Sequence, residues 1–259
     1  MRTAGAGARI LLLNPNTTAA MTERMMAAAW PVAAPGTVLL PLTADRGVPY
    51  IASRAEAQIG GAVALEMLAE QLEGADAAIV AAFGDPGLFG ARELFDKPVI
   101  GVAEAAMLTA CMLGQRFAIV SFATALGPWY AECVAAHGLS GRCAGIRLLD
   151  SPFRDAASVQ EEKERLLVEL SLAAVRENEA DVVILAGAPL AGLASRVATA
   201  IPVPLVDPVA AAVKQAETLV ALAPRKAEMG TFRRPPPKST IGLSTALARR
   251  IAHGEGEGA

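Results

Sequence analysis

Three turns in this chain have the make-up of cradles for an anion: NPNT at 14–17, AFGDPGL at 82–88 and LAGAPLAG at 185–192. Each interrupts a hydrophobic run with Asn, Gly or Pro at or near a helix start. Backbone N–H groups there have no intrahelical acceptor and point at whatever lies in front of the helix. A carboxylate, an imide oxygen or a developing enolate is what such donors hold. Asn14 and Asn16 add side-chain amides, although an Asx-type turn with Thr17 or Thr18 as a plain N-cap explains the first turn equally well. Asp85 suits a cap on its own turn, and Glu104 and Asp207 suit helix caps, better than any of them suits a catalytic base. What the turns lack is a nucleophile. The strand ends carry Ala81, Ala82, Phe83 and Gly84 in one case, Gly187 and Ala188 in the other.

Reactive side chains elsewhere are few. Cys111, Cys133 and Cys143 are odd in number and show no CxxC spacing, which argues against a disulfide framework or a zinc site and for a reducing cytoplasm. Cys111 and Cys133 fall on expected helices and Cys143 opens an expected strand. The two histidines, His137 and His253, are too few for a His-rich metal centre, so no metal is expected. A net charge of −3 gives no case for nucleic acid. The basic residues Arg225, Lys226, Arg233 and Arg234 are expected on a solvated surface. No apolar run reaches membrane-spanning length, and the block at 10–13 is too short for a signal peptide's apolar region, so no membrane association is expected.

The elements that must position these turns alternate. Buried strands are expected at 8–13, 36–44, 76–83, 98–102, 116–122, 143–150, 181–187 and 203–207, with helices between them. Ser53 is placed to cap one helix, and Ser158 with Glu161 reads as a capping box on another. Alternation of this kind implies parallel sheets covered on both faces. The pattern also repeats. Asp76 and Asp181 each open a hydrophobic strand ending six residues later at a small residue, Ala82 or Gly187, before a Gly/Pro turn, a short helix and a Pro-started strand. The expected fold is α/β with two pseudo-symmetric lobes, residues 8–113 with 208–259 and residues 114–207. Each is a parallel sheet flanked by helices, and a ligand cleft lies between them at the strands' carboxyl ends.

The segments LLLNPNTTAAMTERM, AFGDPGLFGARE, PVIGVAEAA, RFAIVSF, VPLVDPVAAAVKQAE and APRKAEMGTFRRPPPKSTIGL span nearly the whole chain. Together they resemble the aspartate/glutamate/hydantoin racemase superfamily, in its hydantoin/allantoin racemase branch. The resemblance implies a cofactor-independent homo-oligomeric enzyme acting at the α-carbon of a small carboxylate, amino-acid derivative or hydantoin-like ureide. In that family two cysteines face each other across the α-carbon, one removing a proton and the other returning one. Their places here are Ala82 and Gly187, so two-thiol racemisation is not expected. The catalytic residues are left unassigned, and the expected substrate-binding set is Asn16, Thr17, Ala82, Phe83, Gly84, Ser121, Gly187 and Ala188. Alternatives are a cysteine-independent lyase or decarboxylase, with reprotonation by water, Tyr130, Asp85 or another group, and a non-catalytic small-molecule binder. The superfamily includes an arylmalonate decarboxylase that keeps one of the two cysteines. A chain engineered at both positions is a further alternative.

Overall fold

A computed structural model describes residues 7–151 and 158–254. Positions 152–157 of the expected second lobe and 255–259 of the first lie outside the described residues. Two four-stranded, all-parallel sheets are built on one plan. The first runs β2 (Val38–Thr43), β1 (Arg9–Asn14), β3 (Ala77–Val80), β4 (Val99–Gly101); the second runs β6 (Cys143–Leu148), β5 (Phe117–Ser121), β7 (Val182–Leu185), β8 (Leu205–Val206). Adding four to each strand number converts one order into the other. The expected α/β class and paired parallel sheets are therefore present.

The sequence repeat has a physical counterpart at both ends of the strands. Asp76 Oδ2 accepts the Arg9 N–H at 2.7 Å where β1 begins; Asp181 Oδ2 accepts the Gln115 and Arg116 N–H groups at 2.9 and 2.8 Å where β5 begins. At the far ends the Ala81 N–H donates to Leu13 O and the Ala186 N–H to Val120 O, both at 2.8 Å. The two acidic residues thus pin equivalent registers.

Strand β1 shows why its residues are apolar on both faces. Ile10 and Leu12 belong to a large core that includes residues of both sheets, whereas Leu11 and Leu13 join a separate cluster with Met67 and Leu68 of helix α2 (Arg54–Gln71). Alternate side chains leave opposite faces of a strand, so burial on both sides demands an unbroken hydrophobic run. Helix α4 (Val102–Leu113) packs against α8 (Pro208–Leu222) and touches β7 of the other sheet. The remaining helices are α1 (Ala19–Ala29), α3 (Leu88–Leu94), α5 (Gly127–Ala136), α6 (Val159–Asn178), α7 (Leu193–Val197) and α9 (Thr245–Ile251).

Several local expectations need correction. Ser53 does cap α2, accepting the Glu56 N–H at 3.3 Å, and Asp207 caps α8 through Val209 and Ala210. The capping box does not form: Ser158 Oγ donates to Glu162 at 2.6 Å, and Glu161 instead pairs with Arg24 of α1. Neither threonine caps α1 with its side chain; Thr18 Oγ1 donates to Pro49 O at 2.7 Å. The basic residues divide. Arg225 and Arg233 are exposed, but Lys226 Nζ is held by the carbonyls of Arg92 and Glu93, and Arg234 donates to Arg250 O. No helix among the described residues is long and apolar enough to cross a membrane.

Candidate active site

The carboxyl ends of the two sheets converge on one narrow cleft. The first half supplies Asn16, Ala81, Ala82 and Phe83; the second supplies Trp129, Tyr130, Gly187 and Ala188; Tyr50 and Ile51 close it from the segment after β2. A neighbouring small hollow shares Ala81, Phe83, Gly187 and Ala188 and is walled by Met25, Val102 and Val209. Ala82 and Gly187 thus border the same space. Thr17, Gly84 and Ser121 do not line it. Thr17 is tied through its N–H to Val48 O, and Ser121 is buried behind the wall with Oγ donating to Ala186 O at 2.8 Å. A roomier hollow lies around Lys97, Pro98, Leu219 and Pro224. It sits at the opposite end of the strands, and Lys97 there is already bonded to Leu72 O and Glu73 O.

Local chemistry fixes each wall. Asn14 and Asn16 fold the first turn on themselves. Asn14 Oδ1 accepts the Asn16 N–H at 3.1 Å, and Asn16 Oδ1 accepts from Asn14 Nδ2 at 3.2 Å and from the Thr18 N–H at 3.0 Å. That spends the Asn16 carbonyl and leaves its NH₂ as the donor end toward the cleft. Gly84 has φ +110°, and an added Cβ would stand 2.3 Å from the Trp129 indole, so the ring lies directly on the backbone. Among the described residues no hydrogen bond takes up the amide N–H of Phe83, Gly84, Gly187 or Ala188. Of these, the Phe83, Gly187 and Ala188 amides belong to residues that border the cleft.

The thiols are elsewhere. Cys111 is half-buried on α4 and Cys143 opens β6; both are free. Cys133, on α5, belongs to a buried cluster behind the first wall. One helical turn on, His137 Nε2 lies 3.3 Å from Asp85 Oδ2 and its Nδ1 3.4 Å from Glu104 Oε1. Asp85 does not cap its own turn. Its carboxylate reaches forward to accept the Ala103 and Glu104 N–H groups at 2.9 and 2.8 Å, capping α4. Glu104 is no cap either, being paired with Arg92 at 2.8 Å as well as with His137.

Burial alone would lower the His137 pKa, but its contacts with Asp85, Cys133 and Glu104 outweigh that and carry it to about 11. Burial pushes Glu104 up, yet His137 and Arg92 bring it to about 2. Burial likewise drives the Cys133 thiol to about 11, which keeps it protonated and unreactive. Asp85, Cys133 and His137 have donor atoms within 4.8 Å of one another and form the one metal-compatible group found among the described residues. Both nitrogens of His137 and both oxygens of Asp85 are already engaged, so the group reads as an ion-pair network.

Sequence reasoning missed Tyr50, Ile51 and Trp129 as cleft residues, and it missed the role of His137. It also missed Gln160, which donates to Pro189 O and Ala191 O at 3.2 and 2.9 Å and so fixes the second loop. A signal existed for two of these. Cys133 and His137 are spaced i,i+4 on one helix face, and Tyr50 is one of only two tyrosines in an aromatic-poor chain.

Comparison with known proteins bears on this geometry. The family model described as Asp/Glu/Hydantoin racemase matches residues 10–216. A hydantoin racemase of Paenarthrobacter aurescens is 35% identical over 90% of this chain and 100% of its own length. The solved allantoin racemase from Klebsiella pneumoniae superposes with a TM-score of 0.87 at 35% identity, over 93% of this chain and 99% of that one. An arylmalonate decarboxylase shares the fold, with a TM-score of 0.57 at 18% identity over 82% of this chain and 92% of that one. The paired parallel sheets, the duplicated strand ends and these matches give one conclusion: the chain belongs to the Asp/Glu/hydantoin racemase family.

Proposed function

We propose that the chain acts at the α-carbon of a small carboxylate or hydantoin-like cyclic ureide, without a cofactor and without two-thiol racemisation. The observation that carries this reading is the cleft itself, where Ala82 and Gly187 border one space with unengaged backbone amides around it. Those amides and the Asn16 amide suit an enolate-like oxyanion in an apolar surround. No carboxylate, imidazole or thiol lines the cleft among the described residues. Reactions that begin with removal of an α-proton are therefore poorly served. Decarboxylation is better served, because the bond to the departing CO₂ supplies the carbanion's electron pair and no base is needed. A homo-oligomer and a cytoplasmic location go with this reading. Leu108, Met112 and Leu113 form an exposed apolar stretch of α4, and the three cysteines are unpaired.

The test is incubation in D₂O with each enantiomer of a 5-substituted hydantoin and of allantoin, and separately with substituted malonates. Optical rotation, α-deuterium and CO₂ release are followed. Turnover of a malonate, with slow or no racemisation of either ureide, is the expected result. Equal, rapid racemisation of both enantiomers would show that thiols are dispensable here and sink the proposal. Ligand-dependent thermal stabilisation with no turnover in any arm would mark a binding protein.

A further inference from the structure

The chain has two tyrosines, and both line the cleft. Tyr130, in the first turn of α5, is almost wholly buried; its ring lies 4.8 Å from Phe83 and 5.7 Å from Trp129, centroid to centroid. Its hydroxyl oxygen would be 3.5 Å from a Cβ built on Gly187. The phenol therefore occupies the surroundings in which a side chain at 187 would lie. Tyr50 stacks obliquely on Phe122 at 5.8 Å, and its buried hydroxyl has no hydrogen-bond partner among the described residues. A buried hydroxyl without a partner costs about 1–3 kcal/mol, a cost that a ligand oxygen would remove.

We propose that Tyr130 is the proton donor to the α-carbon, standing in for a thiol at position 187, and that Tyr50 donates a hydrogen bond to a substrate oxygen. The inference rests on the α-carbon reading above and names the group that completes it. The carbanion's electron pair forms the new C–H bond, the Tyr130 O–H bond breaks, and its electrons stay on the phenolic oxygen. Water then returns a proton to that oxygen. Burial holds both phenols well above the usual tyrosine range, so each is a neutral donor at physiological pH and neither is a base. Tyr130 lies beside Gly187, whereas Ala82 brings only a methyl group to the cleft. Protonation therefore occurs on one face and gives one enantiomer.

The experiment uses barbiturate, a planar monoanion at neutral pH that is itself the stable enolate of a cyclic ureide. Protein labelled with ¹³Cζ-tyrosine gives two resonances, assigned with Tyr50→Phe and Tyr130→Phe. Saturable binding that moves the Tyr130 resonance is expected, as is a loss of about tenfold or more in affinity in Tyr130→Phe with an unchanged melting temperature. On a malonate that turns over, Tyr130→Phe should lower kcat by about a hundredfold or more with KM little changed. Equal barbiturate affinity in the two proteins overturns the donor assignment and leaves the α-carbon reading standing. Failure of barbiturate to bind either protein overturns both. Should Tyr130→Phe not fold, the labelled wild-type spectrum decides, since an unmoved Tyr130 resonance at saturation rejects the assignment.

Discussion

The two halves solve the same joint differently. After β3 a loop carboxylate, Asp85, reaches forward to cap helix α4 and is locked by His137 from the other half. After β7 the helix's own cap, Asp207, reaches back and takes the loop amide of Gly192 at 2.6 Å. The first joint is a network of four charged groups, Asp85, Glu104, Arg92 and His137; the second has the Asp207 carboxylate and the Gln160 amide, whose oxygen accepts from Arg196 at 2.8 Å. The walls differ as well. Ala82 does not have a positive φ, whereas Gly187 sits at φ +107° with Phe122 2.9 Å from where a Cβ would stand. The two walls of the cleft are thus not equivalent. One wall would accept a side chain with little change, and the other has been packed against aromatics.

Breaking the charged joint should have the largest effect. His137→Ala leaves Asp85 and Glu104 without their shared cation, and losing one partner of a buried pair costs about 3–5 kcal/mol, readable by urea denaturation. The sign with pH follows from the raised pKa. The His137 contribution is complete below its ordinary value of 6.5 and is lost as pH rises toward about 11. The stability gap between wild type and His137→Ala should therefore narrow from pH 6.5 upward; a gap constant to pH 10 would contradict the pairing. Exposed cross-half pairs such as Arg54–Glu132 are a poor substitute, because water screens both partners.

The wall comparison is sharpened by installing one cysteine at a time. Gly187→Cys must adopt a backbone conformation that costs about 1–3 kcal/mol and also displace Phe122. Ala82→Cys should stay within about 1 kcal/mol. Equal melting temperatures for the two variants would remove the asymmetry. Asp207→Ala, which frees the Gly192, Val209 and Ala210 amides, should cost about 1–2 kcal/mol and loosen the second loop, visible as faster amide exchange there. Ser158→Ala should fall within about 0.5 kcal/mol, because no capping box exists for it to break.

Much of the fold was legible because repetition is visible in one dimension. Asp76 and Asp181, each opening a run that ends at a small residue, carry the two-sheet plan, and apolar runs such as 10–13 declare burial on both faces. Caps were legible only where a single side chain meets its own helix, as at Ser53 and Asp207. Ser158 and Asp85 were misread because each had a competing partner nearby in space: Glu162 for the serine, the α4 amides and His137 for the aspartate. Lys226 and Arg234 look solvated in a list of residues, yet they bind carbonyls that only folding brings to them.

By itself the sequence determined the alternation, the duplication, the donor-rich turns and the lack of a nucleophile at both strand ends, since these depend on residue type and short spacing. Tertiary structure alone decided that Tyr50 and Tyr130 meet in the cleft from positions eighty residues apart, and that His137 reaches Asp85 and Glu104. The physical reason is that hydrogen bonds and ion pairs act over a few ångströms in space. The chain's order therefore constrains such contacts within a turn or a helix, but not between elements that meet only after both sheets have packed.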